Sequence, residues 1–335
     1  MKRSAFTAFI GWILVLEGCS SSRALPEETA LFPSPRLEKW WIINTVFRDE
    51  NDKDVHLCLL MTLTPSDDRY FTHFFTSLWM EADSAYYSGS QSSEEPFYQK
   101  KDKFPIKLAI PAKDSASFGW YWKLDRKSMR LQSVFQQPSG QVYWPLHVKV
   151  NRAQDSAFHV LKAPGETTLY HVPPALAALH VSGAWQMNAP AVLQCHVIDS
   201  GRNLLEKTKH NFISWLDISL SQELRLSVLY ETDAQGNMQV LSQTFWQKGQ
   251  VVDTISALLT TQEGTIWPGA RKNTAYPLRF SIAVPEKKID VLVGPRMEAQ
   301  EISGRNNSFW MGAVQATDPV ADTIVGVGNL YVLKQ

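Results

Sequence analysis

The chain has 335 residues, and chains beyond roughly 250–300 residues usually divide, so two hydrophobic cores are expected. Lysine plus arginine equals aspartate plus glutamate at 33 each, so no net field recruits a polyanion and nucleic acid is excluded as the main partner. With 12 Trp, 16 Phe and 10 Tyr, aromatic side chains dominate whatever core or cavity the chain builds.

Residues 1–18 have the order of a secretory signal: Lys2 and Arg3, an apolar run from Ala5 to Leu16 that is too short to span a bilayer, then small residues. Leu16-Glu17-Gly18-Cys19 resembles the lipobox of bacterial lipoproteins, although Glu17 departs from the small residue usual before the glycine. That resemblance implies acylation of Cys19, palmitate included; an ordinary cleaved signal is the alternative. Ser20 stands where an aspartate would direct the chain to the inner membrane, so an outer-membrane anchor facing the periplasm is implied. Residues 19–35, with their Ser, Pro and Glu, read as a flexible tether.

From residue 36 the dominant period is two. WWIINTVF (40–47) alternates and is followed by the turn-like DENDKD and a second run, HLCLLMTL, which makes a hairpin. Alternation sends Trp40 and Trp41 to opposite faces, so only one of them can line a barrel interior, and the other must pack on a neighbouring domain or meet solvent. RYFTHFFTSLWM, FGWYWKLD, PLHVKVN, FISWLDISL, LRLSVLY, PLRFSIAVP and KIDVLVGP carry strand composition, punctuated by turns such as SGSQSSEEP and DAQGN. No apolar helical stripe lasts three turns, so helices are few and short and the protein is all-β. About a dozen or more strands favour two consecutive barrels or sandwiches. The midpoint of the strand count falls in LHVSGAWQMNAP, which divides the chain into units 36–185 and 186–335.

Apart from Cys19, the cysteines are Cys58 and Cys195, which pair in one disulfide or stay as two buried thiols. Neither has a partner at metal-ligand spacing, since Cys195 and His196 point to opposite faces of a strand; no metal and no cofactor are expected. No G-x-S-x-G elbow and no Gly-rich phosphate loop occurs.

Several landmarks in order resemble the carotenoid hydratase and AttH-like family, a group with two lipocalin-like β-barrels. They are the Trp pair of LEKWWIINTVFRDENDK, His73 in YFTHFFTSL, Gly119-Trp120-Tyr121-Trp122, Tyr276-Pro277 before Phe280, Val284-Pro285, Gln300-Glu301, FWMGAV (309–314) and the closing GVGNLYVL. The resemblance spans residues 35–335. It implies two lipocalin-like domains and, for hydratase chemistry, a positioned acid that protonates an isolated double bond. Some positions depart from the pattern: Met311 stands where the family usually has Glu, and the last strand lacks the usual carboxylate. The family's Trp-x-Asp segment near the start of the second domain aligns with VLQCHVIDSG, with Val197 in the Trp place and Asp199 kept.

Asp199 is then either a turn cap or a partly buried acid at a barrel mouth, and His73 either a core residue or a second acid. Trp40, Trp41, Trp120, Trp122, Trp215 and Trp310, with Glu301, are the candidate ligand-lining residues; filling two cores, or a solvated loop for Glu301, is the bland alternative. Because polar positions are lost while the aromatic scaffold stays, the first expectation is a lipid-anchored protein that binds a hydrophobic small molecule such as a lipid, polyene or polyketide. The alternatives are a hydratase or cyclase of the resembled family, and an accessory component of an envelope ABC transport system that meets its permease.

Overall fold

The computed structural model describes residue 32 and residues 37–334, less the stretches 67–68, 95–96, 99–103, 111–119, 126–127, 137–142, 153–158, 163–167, 184–186, 208–210, 222, 249, 253, 263–265, 270–274 and 304–307. The signal, Cys19 and Gly119 lie outside the described residues. What is described is nearly all strand, with one α-helix, Gly201–Lys207, and one turn of 3₁₀ helix, Pro285–Lys287. None of the described helices is long and apolar enough to cross a membrane.

Twelve strands form a first sheet, and eight of them close a barrel. In spatial order these are Met187–Asp199, Lys39–Arg48, Asp54–Ser66, Arg69–Met80, Ala85–Ser93, Ser128–Gln136, Tyr143–Arg152 and Thr168–Gly183, the last pairing again with Met187–Asp199. The first hairpin turns as its sequence predicts, with the Asp49 carboxylate accepting the backbone N–H groups of Asn51 and Lys53. The division of the chain at 185 meets a difference here. Met187–Asp199 pairs with Lys39–Arg48 and Thr168–Gly183, and it supplies the strand that leaves the first barrel without a free edge there. The change of sheet follows Asp199, through Ser200 in the left-handed region and the short helix.

The second sheet has ten strands, nine of them running in space from Gln250–Val252 and Met238–Gln247 through Leu224–Thr232, Phe212–Ser219, Thr323–Leu333 and Ser308–Asp318 to Ile289–Pro295, Phe280–Val284 and Leu258–Thr261, and the tenth, Glu301–Ser303, pairing with Ser308–Asp318 off that path. Its two ends meet where the Gln243 side chain accepts the Ala257 N–H at 3.0 Å, a side-chain bond in place of a ladder. The DAQGN turn forms with Gly236 at φ 87° and the Asp233 carboxylate taking the Gln235 and Asn237 N–H groups.

Alternation gives the packing. Trp41, Ile43, Leu57, Leu59, Phe74 and Trp122 belong to the first barrel's core, and Leu216, Leu226, Tyr230, Phe280, Trp310 and Leu330 to the second's. The opposite faces of the same strands carry Trp40, Ile42, Leu60, Phe75, Ile198, Ile213, Trp215, Phe309, Met311 and Tyr331, which form a third buried cluster where the barrels meet. Trp41 thus packs inside against Trp122, ring centroids 5.9 Å apart, while Trp40 faces the other barrel. Phe32, from the expected tether, is buried in the first core against Phe104, and its carbonyl accepts the Lys39 ammonium at 2.7 Å, so the segment is tied down at that residue.

Gly326 and Gly328 in the last strand let it press on Phe212–Ser219. A Cβ on Gly328 would lie 2.1 Å from the Asp217 carbonyl oxygen, whereas one on Gly294 would meet only the flexible Arg279 side chain at 3.4 Å. Gly328→Ala is expected to destabilise the protein by about 1–3 kcal/mol or more through overpacking against backbone, and Gly294→Ala to change little. Denaturant midpoints at constant m-value check this.

Candidate active site

A polar cluster lies inside the apolar contact between the barrels. From the first barrel, the outward face of Lys39–Arg48 brings Asn44 and that of Met187–Asp199 brings His196. From the second barrel, Phe212–Ser219 brings Trp215 and Asp217, and Thr323–Leu333 brings Asn329 and Tyr331. Asp217 is 2 % exposed. Its Oδ2 accepts the Asn44 amide N–H, the Trp215 indole N–H at 3.1 Å and a bond from His196 Nε2 at 2.9 Å. Its Oδ1 is buried with no hydrogen-bond partner among the described residues. One oxygen is therefore held by groups from both barrels, and the other is left for a proton or a ligand.

The orientation of Asn44 is fixed from behind. The Tyr331 hydroxyl donates to Asn44 Oδ1, which turns the amide nitrogen towards Asp217. Burial, and then the neighbouring Cys58, push the Tyr331 hydroxyl well above the usual tyrosine range, so it stays a donor. Burial also pushes the Cys58 thiol up to about 12, which leaves it inert. Cys58 faces the other barrel whereas Cys195 faces the first core; both are free and buried, which settles the open question of a disulfide.

A second polar group flanks this one. His56 Nδ1 lies 3.0 Å from Asn329 Oδ1, and the His56 ring meets Trp79 edge-on at 5.5 Å. Arg296 of the second barrel sits over Trp79 at 4.7 Å and pairs with Asp54 at 2.7 Å and Glu81 at 3.1 Å on the first. This clasp closes one end of the contact.

The residues singled out from sequence fall in several places. Asp199 forms a buried ion pair with Lys39 at 2.9 Å, on the side of its strand that carries the first core's Cys195 and Val197, away from Asp217. His73 lies between Phe71 and Phe75, ring centroids 4.5 and 5.7 Å away, and burial lowers its pKa. Trp41, Trp120 and Trp122 fill the first core, and Trp310 fills the second while donating to the Glu298 carbonyl at 2.7 Å. Glu301 accepts the Tyr276 hydroxyl at 3.0 Å. Trp40 and Trp215 lie at the contact between barrels, and Trp215 alone of the set touches Asp217.

FWMGAV and Gln300 prove to be one unit. The Gln300 side chain gives and takes hydrogen bonds with the backbone of Ala313, at 3.2 and 3.0 Å, and lies where Gly312 has no Cβ; a Cβ there would stand 2.2 Å from Gln300 Oε1. The Tyr86 hydroxyl of the first barrel donates to the carbonyls of Gln300 and Met311 at 3.1 and 3.2 Å.

No model of a known protein family matches the chain, and no curated protein sequence does. Solved structures do. An AttH-like protein from Nitrosomonas europaea superposes with a TM-score of 0.66 at 14 % identity, covering 94 % of this chain and 98 % of that one. Kievitone hydratase from Nectria haematococca gives 0.63 at 11 % identity over 92 % of both chains. CghA in complex with Sch210972 gives 0.56 at 11 % identity over 94 % of both. The fold is that of the AttH-like proteins. Two lipocalin-like barrels, as the sequence resemblance implies, are therefore the architecture, and the segment Trp215-Leu216-Asp217 lies on the first strand of the second barrel. Asn44, His196, Asp217 and Tyr331 are the residues that sequence reasoning misses.

His56 supplies a test of the buried contact. Burial, together with the Arg296 charge, lowers its pKa from 6.5 to about 4, so the native state holds it neutral. Between pH 6.5 and about 4 the unfolded chain takes up a proton that the native state refuses, and stability falls through that window by roughly 3 kcal/mol, levelling off below it. His56→Gln is expected to flatten this part of a stability-against-pH curve measured by urea unfolding.

Proposed function

We propose that the protein takes an apolar, unsaturated small molecule between its two barrels and carries out proton-transfer chemistry of the hydratase or cyclase type, with Asp217 as the acid–base group. The observation that carries this reading is the buried Asp217 carboxyl, one oxygen gripped by Asn44, Trp215 and His196 and the other unoccupied by any described group. Kievitone hydratase is named for such chemistry and shares the fold, which supports the reading without setting the substrate.

In the hydration reaction Asp217 Oδ1 gives its proton to one alkene carbon and the double-bond electrons form the new C–H bond. The cation left on the other carbon is stabilised by a neighbouring aromatic face, for which Trp215 beside Asp217 is placed. Water attacks that carbon and its surplus proton returns to the carboxylate, so the sum is alkene plus water to alcohol. In a cyclisation a second double bond replaces water as the nucleophile, and a proton is lost at the end. His196 positions the carboxyl through the 2.9 Å contact. The dry surroundings, Ile42, Ile198 and Ile213 among them, keep bulk water from trapping the cation.

A second reading, binding without turnover, has one observation in its favour: buried Met311 stands where the resembled family has a carboxylate. The two separate in one experiment. Wild-type protein is incubated in ¹⁸O-water with polyenes bearing isolated double bonds, and products are followed by mass spectrometry. Incorporation of labelled water in wild type, with a loss of roughly 100-fold or more in Asp217→Asn, is expected. Trp fluorescence quenching by the same polyenes should survive the substitution. Full turnover in Asp217→Asn would overturn the assignment, and binding with no turnover in wild type would favour the second reading.

The cellular setting proposed is a lipid anchor on Cys19 at the outer membrane, with a transport permease as its neighbour. Wild-type protein is expected in the membrane fraction and Cys19→Ser in the soluble periplasmic fraction. A Cys19→Ser protein that still sediments with membranes removes the anchor.

A further inference from the structure

Arg225 lies on the strand Leu224–Thr232 with its side chain on the face opposite the second core, since Leu224, Leu226 and Val228 line that core. Its directly paired neighbours are Ser219 and Trp246, and two residues along on the same face stands Ser227. The Ser227 hydroxyl oxygen accepts the amide of Gln194 from the first barrel at 3.2 Å and the indole of Trp246 at 3.3 Å, so this face of the strand also meets the first barrel. Arg225 is partly buried, and burial lowers its pKa while the Asp217 charge acts in the opposite direction. Among the described residues it makes no ion pair and no hydrogen bond, in contrast to Lys39 and Arg296, which are each matched with carboxylates.

A guanidinium partly withdrawn from water with no carboxylate in ion-pair contact is costly, and its planar fork suits an oxyanion. Asp217 is already committed to three donors on one oxygen and lies beyond ion-pair distance of Arg225. The missing partner is then supplied from outside. We propose that Arg225 recognises a carboxylate or enolate oxyanion on the ligand, so that the site selects acidic amphiphiles whose unsaturated body runs towards Asp217. The assignment rests on the ligand site between the barrels proposed above, and it adds the head-group class that the apolar lining leaves open.

The test uses the full-length protein and a matched pair of probes, cis-parinaric acid and its methyl ester, titrated at neutral pH and read by probe fluorescence. Wild type is expected to bind the acid at least tenfold tighter than the ester, about 1.4 kcal/mol. Arg225→Met should lose that preference while holding the ester as wild type does, and Arg225→Lys should keep part of it. Arg225→Gln, which retains a polar side chain without the charge, serves the same purpose if Arg225→Met does not fold, with far-UV circular dichroism as the check. Equal affinity of wild type for acid and ester overturns the Arg225 assignment and leaves the ligand site standing, as does an acid preference that survives in a folded Arg225→Met or Arg225→Gln. Failure of wild type to bind either probe overturns the ligand site itself, and the oxyanion assignment with it.

Discussion

A carboxylate buried between two barrels imposes more order than any apolar contact around it. Asp217 belongs to the second barrel, yet two of its three partners, Asn44 and His196, belong to the first. Apolar surfaces tolerate sliding, whereas a carboxyl group removed from water has to find its hydrogen-bond partners at fixed distances. This one side chain therefore ties the two barrels together at fixed points. Tyr331 extends the constraint, since it donates to Asn44 across the contact as well as to the Ile43 carbonyl at 3.2 Å.

The polar clasp formed by Arg296, Asp54 and Glu81 and the Tyr86 hydroxyl on the Gln300 and Met311 carbonyls lie at other points of the same surface. Between these anchors the fill is aromatic and aliphatic, with Phe75 and Phe309 in edge-to-face contact at 4.9 Å. Chemistry placed here is surrounded by walls whose separation is determined by hydrogen bonds from both sides. That is the kind of preorganisation a proton-transfer site needs.

Much of the fold was legible because period two is a strong signal and because turn residues such as Asp49 and Asp233 have a mechanism. The fate of Trp40 and Trp41 followed from alternation alone. The site was less legible for a related reason. An Asp on a strand's outward face reads as solvent-facing, and nothing local in WLDISL says that a second barrel will cover it. A trace existed: Ile42 beside Asn44, Ile198 beside His196 and Trp215 beside Asp217 each set an apolar residue next to a polar one on a face that should be wet. Asp199 ends an apolar strand as a candidate acid would, but Lys39 lies directly across the ladder from it and takes up its charge. His73 was conspicuous among aromatics and is held by them.

The double-sided strands carry a consequence for how such a protein is made. Each barrel possesses a core of its own, yet its outer wall towards the partner is as apolar as an interior, with Trp40, Phe75 and Ile198 on one side and Trp215, Phe309 and Met311 on the other. During synthesis the first barrel is complete at Asp199 while the wall meant to cover it is still unmade. Until the second barrel follows, the emerging chain presents an adhesive patch, and the short helix with its connection to Phe212 keeps the proper partner nearer than any other surface. Tethering thus turns what would be a hazard between molecules into assembly within one.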